Sequence, residues 1–208
     1  MAEIESVEEL RALIGRPLPR VVAKDRDRLH PEHVAWLARS PLCLVATSDA
    51  DGRCDVSPKG DPAGSLAHPV DDRTLALAER PGNKRADGFV NVLRNPHVGL
   101  VFLIPGRGDT LRINGAARLL RTDVDPPAYL DDLVVRGHRP EIVCEVTVEE
   151  VFFHCAKAFL RSRLWEPGTW EPDAVPSRAQ IAKALERPDD SLEDLEAYYG
   201  AAYAEGLY

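Results

Sequence analysis

Two hydrophobic spacings divide the chain: helical spacing, with apolar residues three or four apart, near both ends, and strand spacing through the middle. Ser6 followed by Glu9 has the form of a capping box. It predicts a short helix carrying Val7, Leu10, Ala12, Leu13 and Ile14, ended near Gly15 and Pro17. A second helix is expected from Pro31 to about Arg39. From Leu42 to Thr47 the run LCLVAT is apolar on both faces, DADG makes a turn and RCDVS resumes an extended run, so a hairpin with a central first strand is expected. Thr74 to Ala78 and Val98 to Ile104 read as buried strands. Between them NKRADGFVNVLRNP sets Ala86, Phe89, Val90 and Leu93 at helical spacing, stopping before Pro96. TLRINGAARLL alternates, with Leu111, Ile113, Gly115, Ala117 and Leu119 on one face, and is the clearest strand.

Pro126 to about Arg136 is expected to be helical and Ile142 to Phe153 extended. Pro167, Pro172 and Pro176 then mark an irregular connector before two helices, one near Arg178 to Glu186 and one capped by Ser191. Six strands with a helix inserted between two of them predict a mainly β, α+β fold: a small antiparallel barrel, closed, with helical decoration at both ends. One domain over 1–208 is expected, with N-terminal helices in 1–40, the barrel in 41–155 and a helical segment in 156–208. The βαβα alternation of a dinucleotide-binding domain is absent, as are GxGxxG and GxxxxGK[ST], so any phosphate site must be built from side chains.

Composition narrows the partners. A formal net charge of −8, from 26 basic and 34 acidic residues, opposes binding to nucleic acid. The longest apolar run, Val98 to Ile104, is far short of the roughly 20 residues that span a bilayer. The opening MAEIESVEEL lacks a basic and then apolar signal segment, so a cytoplasmic protein without a membrane partner is expected. Cys43, Cys54, Cys144 and Cys155 form no CxxC pair and read as free thiols. His154 and Cys155 are adjacent and would point to opposite faces of a strand, so no metal site is expected.

The most informative segment is Pro81-Gly82-Asn83-Lys84-Arg85, where a Pro-Gly turn delivers two cations to the first turn of the expected helix. The helix dipole disfavours cations there unless an anion compensates or they point to solvent. Either they are solvated surface charges or a phosphate sits beside them. In chain order, ATSDADGRCDVSPKGD, ERPGNKRADGFVNVLRNPHVGLVFLIPG and DTLRINGAARL resemble the pyridoxamine 5′-phosphate oxidase-like flavoproteins, over roughly Leu42 to Leu120.

That resemblance implies a split barrel, FMN as cofactor and a homodimer with the flavin between subunits. It implies that Lys84 and Arg85 hold the FMN phosphate, with Ser57, Pro58 and Lys59 on the second strand beside them and Asn83 capping the helix and touching the flavin or its ribityl chain. Thr110 falls where relatives place a polar group near the isoalloxazine, with Arg112 on the same face; a solvated strand edge and an ion pair or subunit contact are the alternatives. FFHCAKAFLRSRLW resembles the closing segment of one branch of the family, with Lys157, Arg161, Ser162 and Trp165 at its polar positions. Lys157 and Arg161 would share a helix face and could take a second anion, or flank a core Trp165 as surface cations.

Ser57-Pro58-Lys59 stands where the true oxidase carries an Arg-led strand, and the oxidase's terminal Arg-Leu-His-Asp-Arg motif is missing after Trp165. Vitamin B6 oxidation is therefore not expected. The reading is an FMN-dependent oxidoreductase of unknown substrate. A non-catalytic flavin- or haem-binding protein and a deazaflavin-dependent reductase are the alternatives on the same fold.

Overall fold

The computed structural model describes residues 2–205 and 207–208. Ser6 opens helix α1 (Val7–Ile14), its hydroxyl accepting from the Glu9 amide at 3.1 Å. The Glu9 carboxylate returns one residue further out than a capping box would, to the Glu5 amide. None of α1 is buried. A single turn, α2 (Pro19–Val22), precedes α3 (Pro31–Leu37), whose start is built by two histidines: His30 Nδ1 accepts from the Glu32 amide, and His33 Nδ1 accepts from the His30 amide. This helix carries Trp36 and Leu37 into the core.

The hairpin β1 (Leu42–Ser48) and β2 (Cys54–Gly60) is turned by Asp49, whose carboxylate accepts from the amides of Asp51 and Arg53 at 2.9 Å, while Gly52 takes the left-handed conformation with φ +82°. Then follow β3 (Ala67–Pro69), β4 (Thr74–Ala78), α4 (Asp87–Val92), β5 (His97–Leu103), β6 (Thr110–Arg121) and β7 (Ile142–His154). All seven strands form one sheet in the order β2-β1-β5-β6-β7-β4-β3, antiparallel at every pairing. The side chains of Leu75, Leu100, Phe102, Leu111, Ile113, Val146 and Val151 fill its concave face.

Three expectations are corrected. The sheet has seven strands rather than six, because the three residues of β3 pair with β4 in a run too short to show a period. The barrel is split, as the family resemblance implies, and not closed as the strand pattern alone suggested, since β2 and β3 are the edges of the sheet. The expected helix from Pro126 to Arg136 shrinks to a 3-10 turn at Leu130–Leu133, whose two leucines cover a small cluster beside β4 and β7.

After the sheet, α5 (Lys157–Ser162) and 3-10 turns at Pro167–Thr169 and Pro172–Ala174 lead to α6 (Arg178–Leu185), opened by a Ser177/Gln180 capping box, and α7 (Leu192–Tyr198), capped by Ser191. These last two helices close on each other through Ala179, Ala182 and Leu195. Among the described residues no helix is long and apolar enough to cross a membrane.

The longest ladder, β6 with β7, contains a bulge between Asn114 and Gly115, where Glu149 is the extra residue opposite. A Cβ on Gly115 would stand 2.0 Å from the Thr147 carbonyl oxygen, so only glycine lets the two backbones approach. Gly115→Ala should therefore lower unfolding free energy by more than ~3 kcal/mol, whereas Gly168→Ala, in open space, should stay within ~0.5 kcal/mol of the parent. Urea denaturation of both variants checks this; equal stabilities would mean that the ladder yields at the bulge without cost.

Candidate functional site

The curl of the sheet brings β1 and β2 opposite β4 and β7, and between them lies a cavity of about 580 Å³. This is the size range of small-ligand sites. Val45, Leu77, Leu100 and Val146 give it apolar walls. Its mouth is polar, formed by the end of β2, the loop 79–86 and the start of α4. Thr47 anchors α4, accepting from the Asn91 amide side chain at 3.1 Å, and Gly88 lets the helix approach β1 and β2 closely.

The mouth carries four cations, and three are already paired. The Lys59 ammonium meets the Glu79 carboxylate and sits 4.8 Å from the centre of the Phe89 ring. Arg80 donates through Nε to Asp61 at 2.8 Å, and the other Asp61 oxygen accepts from the Tyr208 hydroxyl at 2.7 Å. That carboxylate in turn raises the Tyr208 phenol above its ordinary pKa. Arg85 donates to Asp87 at 2.7 Å and is 74% exposed. Lys84 is exposed and has no ion pair among the described residues. Ser57 donates to Asp55 at 3.0 Å.

Lys84 and Arg85 do not lie in the first turn of the helix. Lys84 and Ala86 both take left-handed backbone conformations, φ 60° and 52°, so the chain turns twice before α4 begins at Asp87. Asn83 does not cap that helix: its side-chain Oδ1 accepts from the Arg85 amide at 3.0 Å and holds the turn instead. The acid in the first turn is Asp87, which suits the dipole.

Ser57, Pro58, Lys59, Asn83, Lys84 and Arg85 all line the cavity; Thr110, Arg112, Lys157, Arg161, Ser162 and Trp165 do not. Thr110 is buried opposite His154 in the β6–β7 ladder, and the Arg112 guanidinium lies 5.0 Å from the centre of the Phe152 ring. Lys157 and Arg161 are exposed on α5, and Ser162 donates to the Phe159 carbonyl at 3.2 Å. Trp165 stacks on Phe159 and donates to the Arg107 carbonyl at 2.7 Å. Sequence reasoning missed Asp61, Glu79, Arg80 and Tyr208. Glu79 and Arg80 stand immediately before the Pro-Gly turn, but nothing local signals that the terminal nitrogens of Arg80 are buried.

A profile of the pyridoxamine 5′-phosphate oxidase family matches residues 29–155, well over half of the chain. No curated protein matches. Solved structures similar to the chain include HupZ of Group A Streptococcus, at 25% identity, covering 60% of this chain and 93% of that one with a TM-score of 0.46. A putative pyridoxamine 5′-phosphate oxidase of Lactobacillus delbrueckii shows 26% identity, covering 61% and 95%, with a TM-score of 0.47. An FMN-binding protein of Syntrophomonas wolfei shows 10% identity, covering 72% and 97%, with a TM-score of 0.44.

One cavity wall carries a thiol. Burial pushes Cys144 up to about 11 and Cys43 higher still, so both stay protonated near neutrality, whereas Cys54 and Cys155 are exposed. Iodoacetamide at about pH 8 should modify Cys54 and Cys155 in the native protein and spare Cys43 and Cys144, as read by peptide mass spectrometry. Rapid labelling of Cys144 would mean that the cavity opens to reagent and solvent.

Proposed function

The chain belongs to the pyridoxamine 5′-phosphate oxidase family, and on that premise we propose that it is an FMN-dependent oxidoreductase with the isoalloxazine against the apolar cavity walls and the phosphate at the polar mouth. The observation that carries this reading is the cavity itself: about 580 Å³, apolar within and lined at one end by four cations. A further point of fit is that the two terminal nitrogens of Arg80 are buried without a hydrogen-bond partner among the described residues, which suits a site meant to receive an acceptor. Bound FMN supplies hydride or electron transfer, and the protein supplies binding, orientation and exclusion of water.

Within this reading Lys84, which has no ion pair among the described residues, and Arg85 hold the phosphate from the exposed side of the mouth, with Ser57 and Lys59 beside them. Asp87 and Glu79 have to yield Arg85 and Lys59 for this, so the net gain per cation is smaller than for a free one. Pro58 and Phe89 present apolar surface next to those charges. The free, well-separated cysteines fit the reducing cytoplasm.

We place the cavity at a homodimer interface. Leu42, Leu44 and Val56 leave 37%, 38% and 59% of their surface exposed on the β1–β2 hairpin, and α1 exposes Val7, Leu13 and Ile14. Such apolar surface is what a second copy would cover. A dimer also gives a role to Arg112 and the α5 cations, which lie away from their own chain's cavity and would serve the partner's, whereas Thr110 is buried within its own ladder.

Protein expressed with riboflavin should be yellow and release FMN on denaturation. Lys84→Ala/Arg85→Ala should weaken FMN binding by about 10- to 100-fold and riboflavin binding hardly at all, with circular dichroism unchanged. Equal losses for both ligands would indicate a disturbed pocket, and a parent-like FMN affinity would make the pair solvated surface charges. Light scattering should give a dimer at micromolar concentration, its interface burying more than ~2,000 Å². A stable FMN-loaded monomer would overturn that arrangement.

A further inference from the structure

Among the described residues Arg80 is the one cation of the cavity mouth whose terminal donors are buried and unused. Its side chain is 12% exposed and that of Asp61 2%, so this ion pair sits in the wall rather than on the surface. Asp61 engages only Nε, at 2.8 Å, and the Tyr208 hydroxyl occupies the other carboxylate oxygen at 2.7 Å. The carboxylate is thereby held in place and fixes one edge of the guanidinium. Nη1 and Nη2 are buried and have no acceptor among the described residues. Four N–H groups thus go unmatched, in a fork whose geometry suits two oxygens of one oxyanion. Buried donors without acceptors are rare in folded proteins because desolvation is not recovered. The other cations differ: Lys59 and Arg85 have carboxylates, and Lys84 is solvated.

We infer that Arg80 is the oxyanion-receiving residue of this cavity, taking a phosphate or carboxylate group on Nη1 and Nη2 while Asp61, oriented by Tyr208, positions it. The identity of the anion rests on the FMN reading, since the phosphate of FMN and an anionic group of a substrate offer the same chemistry. The existence of the site does not. Asp61 and Tyr208 are positioning residues, and Arg80 is the binding residue.

Arg80→Gln would strand the buried Asp61 carboxylate and endanger folding, so the test uses Arg80→Gln/Asp61→Asn, which removes both charges, and Arg80→Lys, which keeps the pair but loses the fork. FMN and riboflavin are titrated by flavin fluorescence, and inorganic phosphate is titrated into FMN-loaded and flavin-free protein by phosphorus NMR line broadening. If the anion is the FMN phosphate, the double variant loses ~30-fold or more in FMN affinity, Arg80→Lys loses ~5- to 10-fold, and riboflavin is unchanged. If it is a second anion, FMN affinity holds while phosphate binding to the FMN-loaded protein disappears in the variants. Arg80-dependent phosphate binding by a parent that takes no flavin would leave the Arg80 site standing and overturn the FMN reading alone. Should the double variant fail to fold, Arg80→Lys decides the matter. Parent-like affinity for both FMN and phosphate in the folded variants overturns the inference and leaves Arg80 a structural residue satisfied by water.

Discussion

The pairing of β6 with β7 is the constraint on which the other parts depend. It runs from Thr110 opposite His154 to Arg121 opposite Ile142, and every other strand hangs from one side of it or the other: β5, β1 and β2 from β6, and β4 and β3 from β7. A flat sheet of this order would leave β2 and β4 far apart. The bulge at Gly115 bends the central ladder, twist does the rest, and the two arms come to face one another across the cavity. A buried carboxylate secures the lower part of the bend: Glu145 on β7 accepts from Arg118 on β6 at 2.7 Å and from the Tyr129 hydroxyl. The cavity is thus a product of curvature, and no local motif forms it.

Curvature also sets the electrostatics. Bringing β2 against the end of β4 places Lys59 and Arg80 within one mouth, and each is matched by a carboxylate, Glu79 and Asp61. Unmatched, two cations in a partly dry site would repel one another and pull the arms apart. Pairing stabilises the mouth, and it also means that anion affinity is a difference between old and new partners. Arg80 escapes that trade, because Asp61 uses a single edge of its guanidinium.

Most strands were legible because burial on both faces leaves continuous apolar runs, as in β4 and most of β5, because β1 keeps an apolar run even though one of its faces is exposed, and because β6 alternates cleanly. β3 was not, being three residues ending in proline and held by its neighbour rather than by its own pattern. The helical expectation for 126–136 failed because Leu130 and Leu133 are placed by the cluster they cover. At the site, the basic segment and β2 could be read locally. Its decisive partnerships could not: Asp61 is 19 residues from Arg80, and Tyr208 is 147 residues from Asp61. Only the folded chain sets them in contact.

The start of α4 shows how a local rule can point to a residue pair for the wrong physical reason. Two cations in a first helical turn would conflict with the dipole, and a bound anion would remove the conflict. The chain removes it otherwise, by putting Lys84 and Ala86 in left-handed conformations so that the helix begins at Asp87, an acid. No electrostatic debt is left at that helix end for a phosphate to settle. Lys84 and Arg85 are instead solvent-exposed donors on a turn fixed by Asn83, able to reach an anion but not obliged to hold one. The obligation lies five residues earlier than Arg85, at Arg80, where the unmatched donors are out of reach of solvent. An anion in this mouth is therefore better described as anchored by the buried guanidinium and gathered by the exposed pair, a division of labour that follows from burial rather than from the dipole.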